Sequence, residues 1–249
     1  MLPYQELARL DKTYLWHPFT QMQDWMSEDI VIIEEGEGCF LRDMSGRTYI
    51  DGVSSLWCNV HGHRRHEIDE AIRDQLGKIA HSTFLGLSNI PAILLAQKLI
   101  SLAPKGLTRV FYSDSGSEGI EIALKMAYQY WQLRGQPEKK KFVKLGLAYH
   151  GDTLGAVSVG GIPLFHETYR SLLFETLEAP SPYRYRWPTG DDPEQVKEEA
   201  LRALAKVLGA HAHEAAALVM EPLMQGAAGM IDQPSGFITE ARRLATKYG

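Results

Sequence analysis

The sequence predicts an α/β fold, a mostly parallel sheet flanked by helices, with a small antiparallel meander ahead of it. Three observations carry this expectation. After Gly62, segments of helical period alternate with short apolar runs, the order that builds a parallel sheet covered on both faces. Between Ile30 and Ser55 the pattern is instead β throughout, broken by Gly-containing turns. Finally, Arg109-Val110-Phe111-Tyr112 has strand character and leads through small hydroxylated residues and two glycines straight into a long helical stretch.

Taken in order, Ile30–Ile33, Cys39–Arg42 and Thr48–Ile50 read as three strands, separated by Glu35-Gly36-Glu37-Gly38 and Met44-Ser45-Gly46-Arg47. Helices are expected over 66–78 and 91–103, a strand over 108–113, a helix over 116–133, a strand over 141–148, a helix over 193–209, a strand over 215–220 and a helix over 236–248. The division expected is an N-terminal segment with the meander over 1–64 and a larger sheet-and-helix domain over 65–249. On the 116–133 helix, Glu118, Glu121, Lys125 and Gln129 form one polar stripe on an otherwise apolar and therefore buried element. Glu121 and Lys125 have the spacing of an i,i+4 pair, worth a few tenths of a kcal/mol, so Lys125 reads as structural. Glu138-Lys139-Lys140-Lys141 reads as a solvated turn. The stretch 179–195 carries four prolines among Tyr183, Arg184, Tyr185, Arg186 and Trp187, a loop long enough to be functional or mobile.

The chain has 249 residues, 45% hydrophobic and 23% charged, enough to bury a full core. A net charge of -5 gives no reason to expect nucleic acid or an anionic membrane as partner, since both ask for a basic surface. The partner expected is a small molecule. Cys39 and Cys58 are too few for a disulfide framework and lack metal-type spacing, which suits a reducing cytoplasm. The N-terminus lacks the basic-then-apolar pattern of a signal peptide, and no apolar run reaches the length of a membrane span.

Three segments follow strands and should converge at the carboxyl edge of the sheet, where α/β proteins bind ligands. At Ser115-Gly116-Ser117, free backbone N–H groups and the positive end of a helix dipole point to one place, and the hydroxyls add donors; an anion fits there. The plainer alternative is that Ser115 or Ser117 caps the helix and Gly116 serves the turn. Tyr149-His150-Gly151-Asp152 offers an aromatic ring for a flat ligand with polar neighbours, though a packed Tyr and His and a capping Asp152 explain it equally. Glu221, at the end of an apolar strand, either orients a cofactor group or caps backbone N–H groups at the turn. His61, His63 and His66 lack the spacing and companions of a metal site, and no metal is expected. His211 and His213 fall at a helix end, where the dipole favours them.

Five motifs in order, Trp16-His17-Pro18-Phe19-Thr20-Gln21-Met22, Asn59-Val60-His61-Gly62-His63, Asp114-Ser115-Gly116-Ser117, Tyr149-His150-Gly151-Asp152-Thr153 and Glu221-Pro222, resemble the class III, fold-type I aminotransferases that use pyridoxal 5'-phosphate. The resemblance covers essentially the whole chain. Within the family it is similar to the branch that aminates 8-amino-7-oxononanoate to 7,8-diaminononanoate in biotin biosynthesis. The resemblance implies that Gly116 and Ser117, beside Ser115, hold the cofactor phosphate, that Tyr149 stacks on its ring, and that Glu221 belongs to the cofactor site. It implies a substrate pocket lined by Trp57, Leu56, Phe19 and Tyr149.

Members similar to the S-adenosylmethionine-using branch carry Tyr at the Phe19 position and Trp at the Leu56 position; both are altered here, which resembles the branch with lysine as donor. The family also uses an aspartate against the pyridinium nitrogen and a lysine bonded to the cofactor. Both lie after the helix that ends here near Tyr248, so the resemblance implies a chain that stops at Gly249, short of the catalytic lysine. It further implies a homodimer for the complete enzyme. Two other readings fit the same residues, another class III ω-aminotransferase and a non-catalytic fragment that binds phosphate or associates with subunits.

Overall fold

The computed structural model describes residues 2–249, in two compact units, one ending at Leu107 and one spanning Thr108–Gly249. The first unit opens with helices α1 (Tyr4–Tyr14) and α2 (Met22–Trp25) and continues into the meander β1 (Ile33–Glu37), β2 (Phe40–Asp43) and β3 (Thr48–Ile50), each strand antiparallel to the next. The turn between β2 and β3 closes on Asp43, which is buried and accepts from the N–H and hydroxyl of Ser45, the N–H and Nε of Arg47 and the hydroxyl of Tyr49. Those donors, Ser45 foremost, hold its carboxyl well below the usual carboxylate range.

The first strand corrects the sequence expectation. It starts at Ile33, and Glu35-Gly36-Glu37 extends it instead of breaking it. Glu35 pairs in register with Arg42 and bonds its guanidinium at 2.6 Å. Gly36 is glycine because a Cβ there would lie 2.8 Å from Cγ of His63, and the reversal falls at Gly38, with φ +56°. A short helical turn α3 (Ser54–Trp57) follows, then α4 (His66–Leu76) and α5 (Ile90–Leu102). Asn89 caps α5 by accepting from Ala92 N, and Pro91 occupies its first turn, where its missing N–H costs nothing.

The second unit holds α6 (Gly116–Leu133), β4 (Lys141–Leu145), α7 (Leu154–Ser158), α8 (Pro163–His166), β5 (Thr176–Ala179), α9 (Pro193–His211), β6 (Ala215–Val219), the short antiparallel pair β7 (Met224–Gln225) and β8 (Ile231–Asp232), and α10 (Phe237–Tyr248). The sheet order is β5-β4-β6, all parallel. Alternation along β4 sends Val143 and Leu145 to one face, against Ala200, Leu204 and Leu208 of α9 and Phe237, Ala241 and Leu244 of α10. Phe142 goes to the other, against Leu124 of α6, Val159 and Ala216. Full burial of a side chain such as Phe237 contributes about 1.5–3 kcal/mol.

Four further expectations change here. Residues 109–112 belong to no sheet among the described residues: their composition suits a strand, but no ladder joins them to the open edge of β5 or β6. The strand expected over 141–148 leaves the sheet after Leu145: Leu147, at φ +60°, donates its N–H to Gly161 O at 3.0 Å, and Gly161 donates to Ala148 O at 2.7 Å. α6 is buried along one stripe only, Ile120, Leu124, Ala127 and Trp131, while Met126, Tyr130 and Leu133 are exposed. Lys139 is buried and not solvated, its Nζ donating to the carbonyls of Ala212, Ala215 and Gly249 over the Trp131 ring. The 179–195 loop is tied to α9 by Glu199, whose carboxylate accepts from Trp187 Nε1 and Thr189 Oγ1, both at 2.7 Å, and from Gln195 Nε2 at 3.1 Å.

Candidate functional site

The 18-residue helix α6 begins where the sequence places the anion cup. Ser115 is its N-cap: Oγ accepts from Glu118 N at 3.2 Å, and Glu118 returns a bond by accepting from Asp114 N at 2.9 Å. The capping role considered for Ser115 is therefore the one it plays. The cap leaves the N–H groups of Gly116 and Ser117 at the open end of the helix, with no preceding turn to accept them. No heavy atom lies within 4 Å of the position a Cβ would take on Gly116, so the space beside it is open.

Ser117 is half-buried and accepts from Asp152 N at 3.3 Å, which leaves its own hydroxyl hydrogen to give. That bond brings the Tyr149-His150-Gly151-Asp152 loop onto the cup. Tyr149 donates its hydroxyl to Asp152 Oδ2 at 2.7 Å and meets Phe165 edge-on at 6.4 Å between centroids. Burial, followed by the Asp152 carboxylate, pushes its phenol up to about 12, so the ring stays neutral. His150 is pushed down to about 4 by burial and by the Lys144 charge, and its Nε2 is buried with no partner among the described residues.

Glu221 stands after β6 and spends both oxygens on backbone: Oε2 accepts from Tyr149 N at 3.1 Å and Oε1 from Gly226 N at 2.9 Å. It braces the Tyr149 loop against the turn before β8. Ser115, Gly116, Ser117, Tyr149 and Glu221 thus form one connected arrangement at the carboxyl ends of β4 and β6.

Phe19, Leu56 and Trp57 lie in the first unit. Phe19 has φ +51° and is exposed, in the segment between α1 and α2. Leu56 and Trp57 sit on α3, whose four residues all carry positive φ, a left-handed turn that costs non-glycine residues about 1–2 kcal/mol each. Asp51 holds it, accepting from both N and Oγ of Ser55 at 2.7 and 2.8 Å and pairing with His63 Nε2 at 2.8 Å. That hydrogen bond also accounts for His63, one of the histidines set aside as a metal ligand.

Sequence reading missed Glu121, Gly151 and Gly155. Glu121 makes no use of the i,i+4 spacing to Lys125; its Oε1 accepts from Thr153 Oγ1 at 2.6 Å, Gly155 N at 2.8 Å and Ala156 N at 3.3 Å. The available signal was its place one turn after Ser117, on the same face.

Residues 22–249 match the family described as Aminotransferase class-III. The chain is 54% identical to an adenosylmethionine-8-amino-7-oxononanoate aminotransferase of Anoxybacillus flavithermus over 248 residues, covering 100% of this chain and 54% of the relative. It is 51% identical to the protein of the same name from Geobacter sulfurreducens, covering 98% of this chain and 54% of the relative. The crystal structure of an adenosylmethionine-8-amino-7-oxononanoate aminotransferase from Methanocaldococcus jannaschii superposes with a TM-score of 0.91 at 44% identity, covering 99% of this chain and 53% of that one. The chain spans about half the length of the curated relatives it matches.

Proposed function

The chain belongs to aminotransferase class III, and from that premise we propose that the protein transfers an amino group onto 8-amino-7-oxononanoate, giving 7,8-diaminononanoate, with pyridoxal 5'-phosphate as its cofactor. The single observation that carries the reading is the bond from Asp152 N to Ser117 Oγ, which joins a phosphate cup to an aromatic platform in one rigid arrangement.

The residues fit a phosphate monoester. Gly116 leaves an open cradle that a Cβ would fill, Ser117 has a hydroxyl hydrogen to give, and the 18-residue helix behind them favours a dianion at its N-terminus by roughly 0.3–2 kcal/mol. Gly116 and Ser117 bind the phosphate through their N–H groups. Tyr149 offers its ring face to the pyridine, with Asp152 fixing the rotation of the phenol and Glu221 fixing the backbone beneath it. When bound, the cofactor supplies an electron-poor ring that takes up the electron pair released when a C–H bond beside an amino nitrogen breaks. Phe19, Leu56 and Trp57, all in the first unit, are apolar side chains of the kind an aliphatic oxo-amino acid needs. The names of the relatives support S-adenosylmethionine as donor, while Phe19 and Leu56 favour lysine. The reading carries with it a cytoplasmic homodimer. Among the described residues, no helix is long and apolar enough to cross a membrane.

The test is to incubate the full-length protein with 8-amino-7-oxononanoate and either S-adenosylmethionine or lysine and to assay for 7,8-diaminononanoate. Product with one donor and not the other supports the reading and fixes the donor; absence of product with both overturns it. Loss of phosphate-dependent cofactor binding in S117A is expected alongside.

A further inference from the structure

Glu121 belongs to the cup helix but does its bonding elsewhere. It lies one turn after Ser117, and the two side chains reach the same facing segment from the same side of α6. Ser117 meets Gly151 and Asp152; Glu121 meets Thr153, Gly155 and Ala156. The facing segment is glycine at the two places where these side chains press on it. A Cβ on Gly151 would lie 1.9 Å from Ser117 Oγ, and one on Gly155 would lie 2.3 Å from Glu121 Oε2 and 2.6 Å from Oε1. Gly155 carries no positive φ, so close approach, and not backbone conformation, explains it.

The bonding is also unusual for a cap. Thr153 precedes α7 in the N-cap position but makes no side-chain cap of its own, and its hydroxyl is given to Glu121. A local cap would stabilise α7 alone. A cap supplied from α6, 34 residues away at Gly155, fixes α7 and the loop ahead of it relative to the cup helix.

We propose that Glu121 is a positioning residue that sets the separation between the phosphate cup at Gly116 and Ser117 and the ring of Tyr149, so that a ligand carrying a phosphate and a flat ring on one short linker is held at both ends at once. This rests on the cofactor reading of the site. Glu121 touches neither half of the ligand in this role. Its effect is on the coupling between two half-sites, each of which stays intact without it. A bond that serves stability alone weakens both halves equally or lowers the melting temperature and nothing more.

The experiment compares wild type, E121A, E121Q and T153V in the full-length protein. Dissociation constants are measured for pyridoxal 5'-phosphate, for pyridoxal and, by competition, for inorganic phosphate. E121A is expected to weaken pyridoxal 5'-phosphate by at least about tenfold while pyridoxal and inorganic phosphate change by less than about twofold, the signature of lost simultaneous engagement. E121Q keeps an oxygen to accept from Thr153 and Gly155 and is expected to recover most of the affinity. T153V removes one of the three bonds and leaves the carboxylate in place, so it carries the same test at about threefold if E121A does not fold. Equal losses for all three ligands, or unchanged pyridoxal 5'-phosphate affinity in a folded E121A and T153V, overturn the proposal. If wild type shows no preference for pyridoxal 5'-phosphate over pyridoxal, the cofactor reading itself fails, before any variant is compared.

Discussion

Ser117 Oγ occupies the place where a side chain at Gly151 would begin, 1.9 Å from the ideal Cβ position. The contact joins two segments 34 residues apart and leaves position 151 no alternative to glycine. Gly151 also has φ +120°, a conformation that side chains rarely adopt.

From this follows the outcome for G151A. Backbone strain of about 1–3 kcal/mol adds to the displacement of the cup helix, so a loss of about 2–4 kcal/mol is expected in urea denaturation. The double variant S117A/G151A is expected to stay destabilised. Removing Oγ relieves the shortest contact but leaves Ser117 Cβ at 2.7 Å and Cα at 2.9 Å from the new methyl. A G151A midpoint equal to wild type would contradict the packing described here.

The elements on which this contact depends were legible where one local rule decided them. Helix α6 runs over Gly116–Leu133 as its period requires, because Ser115 and Glu118 supply a capping box in the sequence itself. What was not legible were roles set by a partner far along the chain. Lys139 reads as one of three solvated lysines until Ala212, Ala215 and Trp131 are placed around it. Glu121 reads as half of an ordinary i,i+4 pair until Thr153 and Gly155 face it. Residues 109–112 have strand composition, yet a strand also needs a ladder partner, which composition does not report. In the candidate site, the cup and the ring motif were visible as motifs, while the glycines that let them touch were not.

Lys139 gives the second prediction. Three carbonyls and a ring share its ammonium, and burial lowers its pKa from the ordinary lysine value. K139A leaves those carbonyls without their donor and is expected to cost about 1–3 kcal/mol, whereas K140A, on the neighbouring exposed lysine, is expected to be neutral within about 0.5 kcal/mol. Parallel thermal melts of the two variants distinguish them. Equal melting temperatures would mean that the carbonyls find water instead.

Glu199 gives the third. Its three donors hold the 179–195 loop to α9, and they hold its carboxyl down at about 2, Trp187 first and then Thr189 and Gln195. The folded pKa is below the ordinary 4.5, so the stabilisation is present above that value and is lost as pH falls through about 2. At neutral pH, E199A is expected to release the loop. Limited proteolysis should then cut at Tyr185 or Arg186, and amide exchange at Trp187 and Thr189 should rise while β4 stays protected. Unchanged protection at Trp187 would show that packing alone holds the loop.

His150 gives the last prediction, and its sign is opposite to the usual histidine case. Burial first, then the Lys144 charge, takes its pKa from 6.5 to about 4, and His166 is lowered by the same two causes. Between those values the unfolded chain binds a proton that the folded chain does not, so stability rises with pH across the window and is lost as pH falls from about 6.5 towards 4. His150 alone contributes on the order of 2 kcal/mol after discounting its partial exposure. Measuring between pH 7 and about 5 keeps clear of the lowered carboxylates, Glu6, Asp43, Asp51, Glu199 and Glu214, whose effect begins nearer their ordinary values of 3.8 and 4.5. Urea midpoints are expected to fall over that range in wild type and to fall less steeply in H150F, with His166 contributing to the slope that remains. A wild-type midpoint independent of pH from 7 to about 5 would mean that His150 takes up its proton in the folded state and finds a partner for the buried Nε2.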